Sequence, residues 1–216
     1  MPSRNQVIIR RDINRLKDTI ERTKDSNPAL SGILPTVIAV CNEVNQAWQE
    51  FQQTAVQGDK ERDERDESIN VLVKWIQRWR PVIMLSVPGA DQNLKKLPSS
   101  GATPDDVIRV AEDMIDFINV KTEASSFKDT ANSDLGDALT NAKKETTEAT
   151  AILPQETSKR QAYTDACLVA NEVLVKGLDI VRAIFGRTSP EYKQFIARAS
   201  EKEEEEIEAE ASVGEE

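Results

Sequence analysis

The chain has 216 residues, a formal net charge of −10 and no histidine. Aromatic residues make up 5% and charged residues 31%, a balance that favours an all-helical protein with one large or two small cores over a sheet protein. Without an imidazole there is no Ser–His or Cys–His nucleophile, no histidine zinc ligand and no Glu-x-x-His pair of the di-iron bundles.

The charge is unevenly placed. Residues 201–216 hold nine Glu and one Lys, a net −8, so the first 200 residues carry only −2. No basic stripe suits nucleic acid, since Arg10-Arg11 and Lys95-Lys96 are isolated pairs. No Gly-rich phosphate loop or dinucleotide fingerprint occurs. Cys41 and Cys167 lie 126 residues apart on apolar stripes and read as small buried hydrophobes. No apolar run reaches the length of a membrane span, and the start of the chain lacks the apolar stretch of a signal peptide. The expected compartment is the cytoplasm.

In chain order, Ile9, Ile13, Leu16 and Ile20 form the stripe of a first helix. Pro28 and Gly32 in "DSNPALSG" are expected to end it. Leu34, Val37, Cys41, Val44, Trp48, Phe51 and Ala55 step in threes and fours and predict a helix over about 33–57. Gly58-Asp59 reads as a stop. The charged run 59–67 then reads as a solvated helix start with Glu61–Arg65 and Arg62–Asp66 pairs. Ile69, Leu72, Ile76, Trp79 and Ile83 predict a helix over about 59–86, kinked at Pro81.

After a linker at 97–106, Thr103-Pro104-Asp105-Asp106 starts a helix carrying Val107, Val110, Met114 and Phe117. The Ala- and Thr-rich stretch 124–152 has a thin seam of Ala131, Leu135, Ala138 and Ala142, with Pro154 as its expected end. The last long helix, about 158–185, carries Tyr163, Ala166, Ala170, Val173, Gly177, Ile180 and Ile184. Gly177 on this seam points to close helix packing. Trp48, Trp75 and Trp79 are expected to gather in one core.

The two halves look related. "DINRLKDTI" (12–20) matches "DVIRVAEDM" (106–114) at a spacing of 94, and "DQNLKKL" (91–97) matches "SPEYKQF" (189–195) at 98. The drift asks for about one helical turn of insertion. The break at "FGRTSPEYKQF" places Gly186 at a helix end, Thr188 or Ser189 as the next cap and Pro190 in its first turn. Tyr192 and Phe195 then share a face. Asp91 as cap, with Leu94 and Leu97, is the counterpart in the first half. These four apolar residues are candidates for a structural clamp or a partner-binding face.

The sequence therefore predicts an all-α protein: an elongated antiparallel helical bundle of four long helices plus shorter ones, in two related segments of about 95 residues. Two successive three-helix bundles are the alternative. Residues 1–98 form the first segment, 99–200 the second, and 201–216 an acidic tail expected to be disordered. The expected function is non-enzymatic, through protein–protein interaction or scaffolding, with a bundle binding a small ligand or metal as the alternative. No catalytic residue, cofactor or metal ligand is assigned. The expected partner is an unidentified protein or a second copy, not nucleic acid or a membrane.

Because residues 201–216 carry almost no apolar surface, their removal should leave the fold intact. Melts of the full and truncated chains should agree within about 5 °C, a margin of roughly 1–2 kcal/mol at this size; a larger fall would show that the tail is packed.

Overall fold

A computed structural model describes residues 3–94 and 102–196. Among them the chain is all-α, with no strand. Six helices follow in order: α1 (Arg4–Thr23), α2 (Pro28–Ser86), α3 (Ala90–Asn93), α4 (Pro104–Asn119), α5 (Lys128–Phe185) and α6 (Pro190–Ile196). Four of them are long: α1, α2, α4 and α5. Single 3-10 turns, Lys24–Ser26 and Thr122–Ala124, precede α2 and α5.

Local chemistry sets the starts. Ser3 and Gln6 form a reciprocal capping box on α1, and Thr103 and Asp106 form one on α4. Pro104 stands in the first turn of α4, with Asp105 and Asp106 at its positive end. The α2 start lies earlier than expected. The Asn27 side chain accepts a hydrogen bond from Ala29 N–H at 2.9 Å, with Pro28 as the first helical residue. Pro28 thus opens a helix instead of closing one, and Gly32 and Pro35 lie inside it.

Two expected stops do not end helices. α2 runs through Gly58 and Pro81 for 59 residues, and α5 runs through Pro154 for 58 residues. A helix-interior glycine costs about 1 kcal/mol and a proline about 3. Either is small beside an apolar stripe that stays in phase on both sides. The charged run 59–67 is therefore mid-helix. Its ion pairs include Asp59–Arg62 at 2.6 Å, Lys60–Glu64 at 3.2 Å and Arg65–Asp66 at 2.7 Å.

The chain divides into two compact units that differ from the sequential segments 1–98 and 99–200. Among the described residues, one comprises 3–55 and 154–196, the other 56–94 and 102–153. In the first, Ile13, Leu16 and Ile20 of α1 pack with Val37, Cys41, Val44, Trp48 and Phe51 of α2 and Tyr163, Ala166 and Ala170 of α5. Trp48 and Phe51 lie 5.2 and 6.2 Å from the Tyr163 ring. The Tyr163 hydroxyl donates to Gln6 O at 3.3 Å, and the Arg10 guanidinium covers Trp48 at 4.6 Å.

In the second unit, Leu72, Ile76, Trp79 and Ile83 of α2 pack with Val107, Met114 and Ile118 of α4 and Ala131, Leu135, Ala138 and Ala142 of α5. The Trp79 indole N–H donates to Asp134 at 3.0 Å and its ring stacks 6.0 Å from Phe127. Trp75 packs against this core only in part. The tryptophans therefore belong to two cores, Trp48 to one and Trp79 and Trp75 to the other. The alanine seam of α5 is not loose, because α2 fills it with large side chains.

The buried positions of the two long helices coincide at a spacing of 98. The pairs are Val37/Leu135, Val40/Ala138, Cys41/Leu139, Val44/Ala142, Phe51/Ala149, Leu72/Ala170, Ile76/Leu174 and Ile83/Val181. The same spacing matches Leu16 with Met114 and Ile20 with Ile118, so no inserted turn is needed. The spacing of 94 is the same face of α1 displaced by one turn.

Glycines in the left-handed region follow both of the longest helices, Gly186 at φ 84° directly after α5 and Gly89 at φ 78° three residues beyond the end of α2. The Ser189 hydroxyl accepts from Tyr192 N–H at 3.2 Å and caps α6. At α3 the N-cap is Gly89, and Asp91 lies inside the helix instead of capping it. Tyr192 and Phe195 are part-buried against the first unit's core, and Leu94 is 5% exposed in the second. Gln194 Nε2 also donates to Thr19 Oγ1 at 2.8 Å, tying α6 to α1. Arg80 Nη2 donates to Leu94 O at 3.2 Å. Leu97 lies outside the described residues, as does the acidic tail.

If these short helices act as clamps, truncation should cost stability in both units. Leu94→Ala is expected to lose about 2–3 kcal/mol as a buried truncation, and Tyr192→Ala with Phe195→Ala a similar total, each ring being only part-buried. Urea melts check this; a double variant that melts like the parent would remove the clamp and leave an open aromatic face.

Candidate functional site

The densest group of charged side chains lies in the second unit, where α2 and α5 run antiparallel. Carboxylate oxygens of Glu61, Glu145 and Glu148 all lie within 4.8 Å of one another. Helical spacing puts Glu145 and Glu148 on one face of α5, and α2 brings Glu61 to them. Glu145 is only 9% exposed.

Lys144 balances the group. Its ammonium lies 2.9 Å from Glu145 and 3.3 Å from Glu148. Hydrogen bonds to these two carboxylates push the Lys144 pKa up. Beside it runs an open cleft of about 350 Å³ lined by Glu64, Glu67, Ser68, Val71, Asn141, Lys144 and Glu145. A second open cleft of about 470 Å³ is lined by Asn93, Asp113, Asp116, Phe117 and Val120.

The three glutamates are the residues able to offer hard oxygen ligands to a cation. The sequence did not reveal them, because Glu61 is 84 positions from Glu145 and only the antiparallel pairing joins them. The spacing of 98 relates this group to positions in the first unit. Glu148 corresponds to Glu50 and Glu61 to Lys159. In the first unit those equivalents form an ion pair, Lys159 Nζ to Glu50 Oε2 at 2.7 Å. Hydrogen bonds from Lys159 and Gln46 hold the Glu50 carboxyl below the usual carboxylate range. One unit thus has a cross-helix bridge where the other has two acids, with Lys144 supplying the positive charge from within α5.

The cysteines offer no activated thiol. Burial pushes both thiols above their ordinary pKa, disfavouring the thiolate. Cys41 Sγ donates to Asn14 Oδ1 at 2.9 Å, within a cluster that also holds Asn45. Both cysteines are free and buried.

The candidate residues of the helix ends are divided between the two units. Tyr192 and Phe195 belong to the first unit and Leu94 to the second.

Since Lys144 already neutralises much of the acidic group, the fold should not depend on a divalent ion. Dialysis against EDTA is expected to leave helicity unchanged by circular dichroism and the melting temperature unchanged within about 5 °C. A larger fall, or stoichiometric metal on elemental analysis, would assign the three glutamates as ligands.

No family model matches the chain, and neither a curated protein nor a solved structure does so.

Proposed function

We propose that this chain is a non-enzymatic helical protein that works by presenting helix faces to a protein partner. The observation that carries the reading is on α5. Leu168 is 63% exposed and Val175 54% exposed, and their spacing of seven puts them on one face of the helix. Val169, 46% exposed, lies beside them, and exposed Asn171 and Glu172 stand between. An apolar patch broken by polar groups is the composition of a small docking surface.

The chemistry supports the same reading. The chain has no histidine and its thiols are disfavoured as thiolates, so neither an imidazole base nor an activated thiol is at hand. The described clefts are open and charged, unlike the enclosed apolar pockets that hold small molecules. Among the described residues no helix is long and apolar enough to cross a membrane. We place the protein in the cytoplasm and read its two halves as an internal duplication, for which the shared register of buried positions is the support.

The test is a Leu168→Glu/Val175→Glu double variant. Exposed substitutions change stability by no more than about 0.5 kcal/mol each, so its melt should match the parent. A photo-crosslinker at position 168 should capture the same protein repeatedly from the native host, and the double variant should lose that protein in a pull-down. Undiminished binding by the double variant would end the assignment of this face.

A further inference from the structure

We propose that the two halves of this chain, residues 3–94 and 102–196, are complementary partners, each specifying the other in preference to a copy of itself. Neither half closes a unit alone. One unit takes residues up to 55 from the first half and residues from 154 onward from the second; the other takes residues 56–153, drawn from both.

Volume carries the preference. At several matched positions the first half supplies the larger side chain, as with Val44 against Ala142, Phe51 against Ala149, Leu72 against Ala170 and Trp79 against Gly177, while Val37 against Leu135 and Cys41 against Leu139 run the other way. At the former positions each core sets large residues of α2 on small ones of α5. Two first halves would bring large onto large. Leu16 shows the consequence. A Cβ added at Gly177 would lie 2.4 Å from Leu16 Cδ2, and in a pair of first halves the residue under Leu16 would be Trp79. Two second halves would set Ala138, Ala142 and Ala149 with Ala166, Ala170 and Gly177, leaving voids at those layers. Overpacking and cavities both destabilise, and together they reject the two like pairings.

Charge acts against the pair of first halves alone, since in two second halves Glu148 would face Lys159. Glu50 meets Lys159 at 2.7 Å. In two first halves Glu50 would meet Glu61, the residue in register with Lys159. That bridge is part-exposed, with 42% and 38% of its side chains accessible, so it is the weaker discriminator.

The test uses the full chain with a protease site placed within 95–101. After cleavage, native mass spectrometry and circular dichroism should find both fragments together, one of each, with helicity retained. After unfolding in urea and dilution, the same one-to-one pair should return, with like pairs at least tenfold rarer. Separate fragments, loss of helicity on cutting, failure to recover the pair, or like pairs in the statistical proportion would each overturn the proposal. Gly177→Val should weaken the fragment pair at least tenfold, and Leu16→Ala in the other fragment should recover at least part of that loss. Absence of recovery would show that the Leu16–Gly177 fit is not the determinant.

Discussion

Two uninterrupted helices of 59 and 58 residues impose one constraint. Each carries more apolar stripe than a single small core can cover, so each must be buried twice, once along its first half and once along its second. The unit boundaries meet this condition. They fall between Ala55 and Val56 on α2 and between Leu153 and Pro154 on α5, at matching places in the two helices. Pro154 marks the change on α5 without ending the helix. The short helices finish each core: α1 and α6 in one, α4 and α3 in the other.

Much of this was legible in the sequence. The spacing of Leu34 to Ala55, Ile69 to Ile83 and Tyr163 to Ile184 names the buried face of each stretch, and Gly186, Ser189 and Pro190 do what their chemistry suggests. What failed was punctuation. Gly58 and Pro154 carry local penalties that a residue-by-residue reading takes as stops. The stripe on either side keeps its phase, and continuous packing outweighs a few kcal/mol. Pro28 misled in the opposite sense, since the same fixed φ that breaks a helix interior suits a first turn. The three glutamates were hidden for another reason: their proximity comes from helix pairing, which spacing within one helix does not encode.

The register between the halves makes divergence readable. Where the Glu50–Lys159 bridge ties α2 to α5, the matched positions hold Glu148 and Glu61, and Lys144 supplies the compensating charge. Where Trp48, Phe51 and Tyr163 stack in one unit, the other has Thr146, Ala149 and Arg65. One backbone pattern thus supports an aromatic core at one end of the register and a polar, acidic margin at the other. The exposed Leu168 and Val175 lie in the half whose buried positions are smallest.

The division of the chain also orders its assembly. The unit of residues 56–153 is continuous in sequence, whereas the other joins residues before 56 to residues after 153. On a ribosome the continuous unit can close as soon as its last helix half emerges. The residues before 56, although made ahead of that unit, wait for residues after 153 before Val44, Trp48 and Phe51 meet Tyr163. During that interval an amphipathic helix with its apolar stripe uncovered is the exposed species, and long-range closure makes the interval slow. The residues before 56 thus precede the continuous unit in synthesis and follow it in burial.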